Sequence, residues 1–246
     1  MSLQLPRLGA DPEAPFPDVS QALRRPDGLL AFGGDLSSQR LLNTYARGIF
    51  PWFSEGQPIL WWSPDPRMVF RSDGLRLSSR FRRRLRSLPW EARADTAFAQ
   101  VVQACAEAPR RGQDGTWITG DMRAAYGELH RLGHAHSVEV FDGSALVGGI
   151  YGIAIGRMFF GESMFSTIDG GSKAALAALA CRLSEWGWPL IDAQVDNPHL
   201  RSLGAEAWPR QRFVAEVARL ATCAAPPGPW TGAFGALPVR SLAAGV

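Results

Sequence analysis

The spacing of apolar residues changes character near residue 67. Before this point the sequence is rich in turn-forming residues and contains a single convincing helical pattern, over 37–47, where Asp35 and Ser37 can cap the start. After this point apolar residues recur at regular helical or alternating spacing. This second region predicts a strand over 68–71 and helices over 78–87, 96–108 and 119–132.

The spacing of apolar residues changes again after residue 135, where apolar runs are separated by short turns. They predict three consecutive antiparallel strands, because Asp142-Gly143 and Gly156-Arg157 are typical turn pairs between the apolar runs. The strands are predicted over 136–141, 145–155 and 158–165. A nearly all-apolar helix over 171–186, a strand over 190–195 and helices over 198–203 and 211–222 follow. This order predicts an α+β fold whose main helix packs on a sheet.

The chain therefore divides into three expected parts. A small N-terminal domain with an aromatic, proline-rich tract occupies 1–66, the main domain occupies 67–223, and a loosely held Ala/Pro/Gly-rich extension occupies 224–246. With 246 residues and 46% apolar content, the chain can build a substantial core. It has no run of twenty apolar residues, and its start lacks a basic patch before an apolar run, so we expect a cytoplasmic protein without a membrane segment.

The cysteine and histidine spacings favour neither disulfides nor a metal site. Cys105, Cys181 and Cys223 are far apart and form no CxxC pair. His134 and His136 are separated by one residue at a strand entry, a spacing that is more often structural than metal-binding. GxxxxGK[ST] and GxGxxG patterns are absent as well. We expect neither a metal nor a cofactor.

An aromatic tract lies at 48–66, with three of the nine tryptophans and four prolines. Proline removes backbone donors, so the tract is expected to be neither a long helix nor a central strand. Stiffly held indoles suit stacking on a nucleobase, which makes the tract a candidate for recognising a nucleotide-bearing substrate. The alternative is an aromatic seam between two domains.

Basic residues are concentrated on the helix predicted over 78–87. Phe81, Leu85 and Leu88 form its apolar stripe, and no acidic residue offsets the charges on its other faces. Like charges one turn apart repel, so a phosphate-binding surface is favoured over a merely solvated face. The charges are those of Arg80, Arg82, Arg83, Arg84 and Arg86. Lys173, the one lysine in the sequence, begins the apolar helix; its position indicates a requirement for a cation, or else a stem that packs while the amine is solvated.

Two polar clusters interrupt apolar strands. Glu162 lies in MFFGESMFS, and Asp192 and Gln194 lie two residues apart in PLIDAQVDN, on one face of a regular strand. If the strands are neighbours, a carboxylate could take a proton from an amine while Gln194 orients a carbonyl. The alternative is a buried hydrogen-bond network. The expected walls of this pocket are Met164, Leu176, Leu179, Leu183 and Ile191.

The sequence resembles the bacterial leucyl/phenylalanyl-tRNA–protein transferases. The matching segments are GLLAFGGDLSSQRLL, RGIFPWFSEGQPILWWSPDPR, GTWIT, LHRLGHAHSVEV, LVGGIYG, FFGESMFS, SKAAL and LIDAQVDNPHLRSLGA. The resemblance implies transfer of Leu or Phe, less readily Met, from aminoacyl-tRNA to proteins with N-terminal Arg or Lys, creating a degradation signal of the N-end rule (N-degron) pathway. It also implies a cofactor-free monomer and an acetyltransferase-like (GNAT-like) main domain.

The resemblance also assigns roles to residues. Asp192 and Gln194 would lie nearest the reacting centre, with Glu162 beside the ester; whether Asp192 is a base or an orienting group stays open. The aminoacyl side chain would enter a pocket of Ile150, Met164, Leu176, Leu179, Leu183 and Ile191. Terminal adenosine would contact Trp52, Trp117 and Asn197. The acceptor stem would contact Arg80, Arg82, Arg83, Arg84, Arg86 and Lys173. Negative charge for the cationic acceptor would come from Glu162, Asp192 or Asp196.

Two other classes of function are open. An acyl-CoA-dependent N-acetyltransferase would need an [RQ]xxGx[GA] pattern between strand and helix, and 166–171 supplies glycines without an arginine or glutamine at the required offset. A non-catalytic RNA-binding module would explain the tryptophans and arginines. It would leave the cluster of Glu162, Asp192 and Gln194 without a role.

Overall fold

A computed structural model describes residues 5–108, 116–225 and 228–244. Its strands are β1 (Arg7–Leu8), β2 (Leu29–Gly33), β3 (Phe50–Pro51), β4 (Leu60–Trp62), β5 (Arg67–Arg71), β6 (Glu91–Ala94), β7 (Ala135–Asp142), β8 (Ala145–Ile155), β9 (Met158–Ser166), β10 (Leu190–Gln194), β11 (Glu206–Trp208) and β12 (Leu237–Pro238). Its α-helices are α1 (Ser38–Tyr45), α2 (Ser79–Leu85), α3 (Phe98–Glu107), α4 (Gly120–Arg131), α5 (Gly171–Glu185), α6 (Pro198–Ser202), α7 (Arg210–Ala221) and α8 (Thr231–Phe234). The glycine of GTWIT and the ends of the 1–66 and 224–246 parts lie outside the described residues.

The described residues form two sheets. The smaller has the order β1-β2-β4-β3, and the larger has the order β11-β5-β10-β9-β8-β7-β6-β12. In the larger sheet β9 and β10 are parallel, while β5 and β10 are antiparallel. The predicted α+β class is confirmed. The acetyltransferase-like arrangement and the domain division after residue 66 stay predictions.

The regular elements after residue 67 were predictable, because they are long enough to show a period. The hairpins β7–β8 and β8–β9 are antiparallel, as predicted, and α5 follows them. Strands missed by the periodicity are short, such as β6 and β12, and a strand of two to four residues shows no period. Among the described residues, no helix combines the length and the apolar composition needed to cross a bilayer.

The expectation that the aromatic tract contains no central strand is wrong. β4 lies between β2 and β3, because Leu60–Trp62 carries no proline and its backbone donors are available. Pro51 lies in the edge strand β3, where a missing donor is tolerated. Trp61 is fully buried and donates its indole N–H to the Gly33 carbonyl oxygen over 2.9 Å. The tract therefore supplies both core and partly exposed indoles.

The expectation of a loosely held C-terminal extension is also wrong. β12 pairs with β6, and Trp230 is buried and stacks on the His136 ring with 4.0 Å between centroids. The Trp230 backbone N–H donates to Asp95 Oδ2 over 2.6 Å. Buried apolar side chains such as Trp230, Phe234 and Leu242 hold this segment in place despite its Ala/Pro/Gly-rich composition. Burying each one stabilises the packed state by about 1.5–3 kcal/mol.

Two glycines set the main helix directly against the sheet. A Cβ on Gly148 of β8 would lie 2.3 Å from the Gly171 carbonyl carbon, and one on Gly171 would lie 2.1 Å from the Val147 oxygen. No larger residue fits either position without moving backbone. This close approach of α5 to β8 brings Leu176 and Ile150 to one cavity.

Candidate active site

A pocket of about 280 Å³ opens where β9 and β10 run parallel. Asp192 is in register with Phe160, two residues before Glu162, so the acidic ends of the two strands are neighbours. Glu162, Asp192 and Gln194 all line this pocket. The structure thus brings together the three polar residues that the sequence placed on separate strands.

One wall of the pocket is apolar. It contains four of the residues expected there and adds Phe70 of β5, which the sequence did not indicate. The four are Ile150, Met164, Leu176 and Ile191. Leu179 and Leu183 were also expected in this wall. They are instead fully buried in the core and do not line the pocket. They lie about one and two turns beyond Leu176 on α5.

Asp192 is held by a buried arginine. Arg67 of β5 donates from Nε to Asp192 Oδ1 over 2.8 Å and from Nη2 to Oδ2 over 2.6 Å. Both side chains are essentially inaccessible to solvent. The guanidinium lies between the rings of Phe50 and Phe213, 4.6 and 4.7 Å from their centroids. A bidentate pair of this kind fixes the orientation of both groups.

Gln194 connects the two carboxylates. Its backbone N–H donates to Asp192 Oδ1 over 2.9 Å, and its Nε2 donates to Glu162 Oε1 over 2.9 Å. Its φ of 60° is in the left-handed region, and the pairing of β10 with β5 shifts register between Asp192 and Gln194. This bulge, rather than regular strand alternation, turns the Gln194 side chain toward Glu162.

Two tyrosines enclose the Glu162 carboxyl group. Tyr45 of α1 donates to Oε1 and Tyr126 of α4 donates to Oε2, each over 2.7 Å. Burial of the carboxyl group raises the pKa of Glu162 to about 7, and the nearby charge of Asp192 adds to this rise. The two tyrosine hydroxyls and the Arg67 charge oppose it. Burial also raises the pKa of both tyrosines well above their usual value, so they stay protonated.

The hydrogen bonds of this cluster can accommodate one more proton. The hydroxyl oxygens of Tyr45 and Tyr126 are 2.7 Å apart, and each also contacts Glu162. While Glu162 is ionised, two hydroxyl protons serve three short oxygen contacts. A proton on Glu162 supplies the third donor and completes the ring of hydrogen bonds. The geometry therefore matches a carboxylate that gains and loses a proton near neutral pH.

Sequence reasoning missed Arg67, Tyr45 and Tyr126, because their role depends on contacts between distant segments. The scarcity of tyrosine in the sequence could have pointed to Tyr45 and Tyr126. The chain contains three tyrosines and thirteen phenylalanines, so each tyrosine marks a place where a hydroxyl group is retained. Two of the three meet at Glu162, and the ring of Tyr151 contacts that of Tyr126.

The residues expected at the adenosine border the same pocket. Trp52, Trp117 and Asn197 line it, with Trp52 and Trp117 partly exposed. Asn197 also caps α6, since its Oδ1 accepts from the His199 backbone N–H over 2.8 Å. The aromatic tract and the carboxylate cluster thus meet in one cavity.

The arginine-rich helix α2 lies beside the start of α5. Phe81 packs close to Gly170, where an added Cβ would lie 2.5 Å from the ring. Arg80, Arg83 and Arg86 are exposed, and Arg82 is partly exposed. Arg84 differs from them, because its Nη1 pairs with Asp169 Oδ2 over 2.6 Å.

Lys173 links this basic surface to the pocket. Its amine lies 5.8 Å from the centroid of the Phe81 ring on α2. Partial burial lowers the pKa of His199, which lines the pocket, and the positive charge of Lys173 lowers it further. Lys173 is therefore close to both Phe81 of α2 and His199 of the pocket.

Comparisons with known proteins identify the family. The sequence profile of the family described as leucyl/phenylalanyl-tRNA protein transferase matches residues 69–218, and the profile of its N-terminal domain matches residues 34–65. A protein of Xanthomonas axonopodis pv. citri with that name is 68% identical, over 96% of this chain and 94% of its own length. Proteins of the same name from Xanthomonas campestris pv. campestris (strain B100) and Xylella fastidiosa are 64% and 63% identical, over 99% and 96% of this chain and 98% and 97% of their own lengths.

Solved structures are less informative. The structure of L-PGS from Bacillus licheniformis is similar over 78% of this chain and 73% of that chain, with 10% identity and a TM-score of 0.40. A likeness at this level carries no argument about fold or function.

Proposed function

This chain belongs to the leucyl/phenylalanyl-tRNA–protein transferase family and is an aminoacyltransferase. From that premise we propose that it transfers Leu or Phe, and less readily Met, from aminoacyl-tRNA to the α-amine of proteins that begin with Arg or Lys. The product would carry a degradation signal of the N-degron pathway. We propose that it acts in the cytoplasm as a monomer and without a cofactor.

One observation carries the proposal: a single pocket combines an apolar wall, two indoles and a carboxylate with a pKa near 7. The wall of Ile150, Met164 and Leu176 suits an uncharged aliphatic or aromatic side chain. Trp52 and Trp117 offer ring faces to the adenosine that carries the aminoacyl ester. In this proposal the ester lies between these two surfaces and next to the polar cluster.

The proposed reaction is aminolysis of an activated ester. The lone pair of the acceptor amine attacks the ester carbonyl carbon, whose oxygen becomes an oxyanion, and the bond from that carbon to the ribose oxygen then breaks. One proton leaves the nitrogen and one reaches the ribose oxygen, so the products are a peptide bond and a free hydroxyl. An α-amine has a pKa of about 7.7–8.0, so a modest base suffices.

We assign the proton transfer to Glu162. Ionised Glu162 accepts the proton from the nitrogen, and protonated Glu162 can return it to the ribose oxygen. Asp192 is less suited, because it pairs with the buried Arg67 guanidinium, and a proton on Asp192 would leave that charge uncompensated, whereas the partners of Glu162 are neutral. Asp192 thus acts as a positioning residue that keeps Gln194 directed at Glu162. Nε2 of Gln194 has a second hydrogen, which suits the developing oxyanion.

Selection of an Arg or Lys acceptor requires negative charge near its cationic side chain. Asp192 pairs with Arg67, and Asp196 pairs with Arg201 over 2.6 Å. The hydrogen-bond partners of Glu162 among the described residues are neutral. These contacts favour Glu162 as the group that an arginine or lysine terminus senses.

The test is transfer of labelled leucine from leucyl-tRNA to peptides beginning with Arg or Ala, without ATP, and with acetyl-CoA as a parallel donor. Label on the Arg peptide alone is expected. Acetylation without leucine transfer would move the chain to the coenzyme A class. Tight tRNA binding without either transfer would favour an RNA-binding module instead.

A further inference from the structure

A second groove, of about 530 Å³, adjoins the active-site pocket. Trp52 and Trp117 line both cavities, so the groove begins where the proposed adenosine site ends. Strands β2 and β4 of the small sheet supply Leu29, Leu60 and Trp62 to the groove, and Pro26 and Gln57 also line it. The carboxylates Glu162 and Asp192 do not line it.

We infer that this groove binds the nucleotide that precedes the terminal adenosine of the donor tRNA. The inference rests on the proposed function, because that function places the terminal adenosine at Trp52 and Trp117. All tRNAs end in the sequence CCA, so the occupant is a cytidine. Its base stacks on the indole of Trp62.

Contacts with Trp52 fix the orientation of the Trp62 indole. Its N–H donates to the Trp52 carbonyl oxygen over 2.7 Å, and its ring lies 5.6 Å from that of Trp52 at 59°. The side chain is therefore oriented, although it remains partly exposed. An indole held in this way loses little conformational entropy when a base covers it. The tilt between the rings provides separate faces for two successive bases.

The other residues of the groove suit a pyrimidine. Pro26, Leu29 and Leu60 provide apolar contacts for a ring. Gln57 Oε1 accepts from the Ser54 backbone N–H over 2.8 Å, which leaves the Gln57 amide N–H groups as donors. Cytosine presents acceptors at N3 and O2, whereas uracil presents a donor at N3. Uracil also has acceptors at O2 and O4, but its N3–H donor lies beside them, so a Gln57 amide that donates to the N3 and O2 edge favours cytidine over uridine.

The experiment compares three small donors on one Arg peptide: the leucyl esters of adenosine, of cytidylyl-adenosine and of uridylyl-adenosine. The readout is the ratio of kcat/KM for each dinucleotide ester to that for the adenosine ester. A defect at the adenosine site lowers kcat/KM for both esters, so its effect cancels in the ratio. Stacking of one base on an aromatic ring predicts a cytidylyl ratio on the order of ten or more in the wild-type protein.

Variants of the groove residues test which side chains produce the preference for a dinucleotide ester. Trp62→Leu is expected to bring the cytidylyl ratio close to one, and Gln57→Ala to bring the cytidylyl and uridylyl ratios together. Trp186→Leu, which changes a partly exposed tryptophan outside the groove, is the matched control and should keep the wild-type ratio.

Each result bears on one claim. A wild-type cytidylyl ratio near one, or a ratio that Trp62→Leu leaves unchanged, overturns the assignment of the groove while leaving the transferase intact. Transfer from intact leucyl-tRNA is measured alongside. Its absence in the wild-type protein would refute the proposed function itself.

Discussion

The guanidinium of Arg67 binds both carboxylate oxygens of Asp192, over 2.8 and 2.6 Å, and both side chains are buried. Removing one partner leaves the other as an uncompensated buried charge. Arg67→Ala and Asp192→Ala are each expected to lower the free energy of unfolding by about 3–5 kcal/mol. Urea unfolding of the two variants measures this.

An apolar replacement of the pair supplies the control. Arg67→Met combined with Asp192→Leu should regain much of the stability, because no charge is left unpaired. Leucine transfer should stay low in the double variant, since Gln194 loses its anchor. Single variants as stable as the wild-type protein would contradict a structural role for the pair.

The tyrosines are expected to set the pH at which Glu162 ionises. Their hydroxyls donate to the ionised carboxylate and hold its pKa below the value that burial alone would give. Tyr45→Phe and Tyr126→Phe should therefore move the pH midpoint of transfer upward, by about one unit for one lost charge-assisted hydrogen bond. Initial rates from pH 5.5 to 9 provide the measurement. A downward shift would contradict the assignment.

The arginines of α2 are not expected to contribute equally to tRNA binding. Arg83 is exposed and lacks an acidic partner among the described ion pairs, whereas Arg84 already pairs with Asp169. Arg83→Gln should weaken binding and reduce the slope of log K against log salt by about one. Arg84→Gln is the matched control and should change the slope less. Equal slopes for both variants would argue against α2 as the phosphate contact.

Substitutions of two α5 leucines distinguish an effect on donor preference from an effect on stability. Leu176 lines the pocket, and Leu179, one turn away, is buried behind it. Leu176→Ala enlarges the pocket and should shift donor preference toward Phe over Leu. Leu179→Ala should cost about 2–5 kcal/mol in stability and leave that preference unchanged. Competition between labelled leucyl-tRNA and phenylalanyl-tRNA, with urea unfolding beside it, decides between these outcomes.

The sequence predicted the long elements and the polar cluster, because periodicity and interrupted apolar strands are local signals. Glu162, Asp192 and Gln194 could be singled out for that reason. Leu179 was assigned to the pocket in error, since helical spacing shows which face is apolar but not where a helix leaves the cavity. The inner strand β4 was excluded because of the prolines around it, although its own three residues contain none.

The electrostatics of the site could not be read from the sequence. Tyr45 and Tyr126 come from two helices far apart in the chain, and Arg67 precedes Asp192 by 125 residues. The pKa of Glu162 depends on these contacts and on burial, neither of which is encoded in a short motif. The bulge at Gln194 likewise depends on pairing with β5.

The most direct test of the account is the pH dependence of kcat/KM for leucine transfer to an Arg peptide, in the wild-type protein and in Glu162→Gln. Both the amine and Glu162 must be deprotonated, and the raised pKa of Glu162 leaves this carboxyl group protonated below pH 7. Log kcat/KM should therefore rise with a slope of about two below pH 6 in the wild-type protein. Glu162→Gln should rise with a slope of about one and react about 10²–10⁴ times more slowly. A Glu162→Gln variant with the wild-type rate and slope would show that Glu162 does not carry the proton.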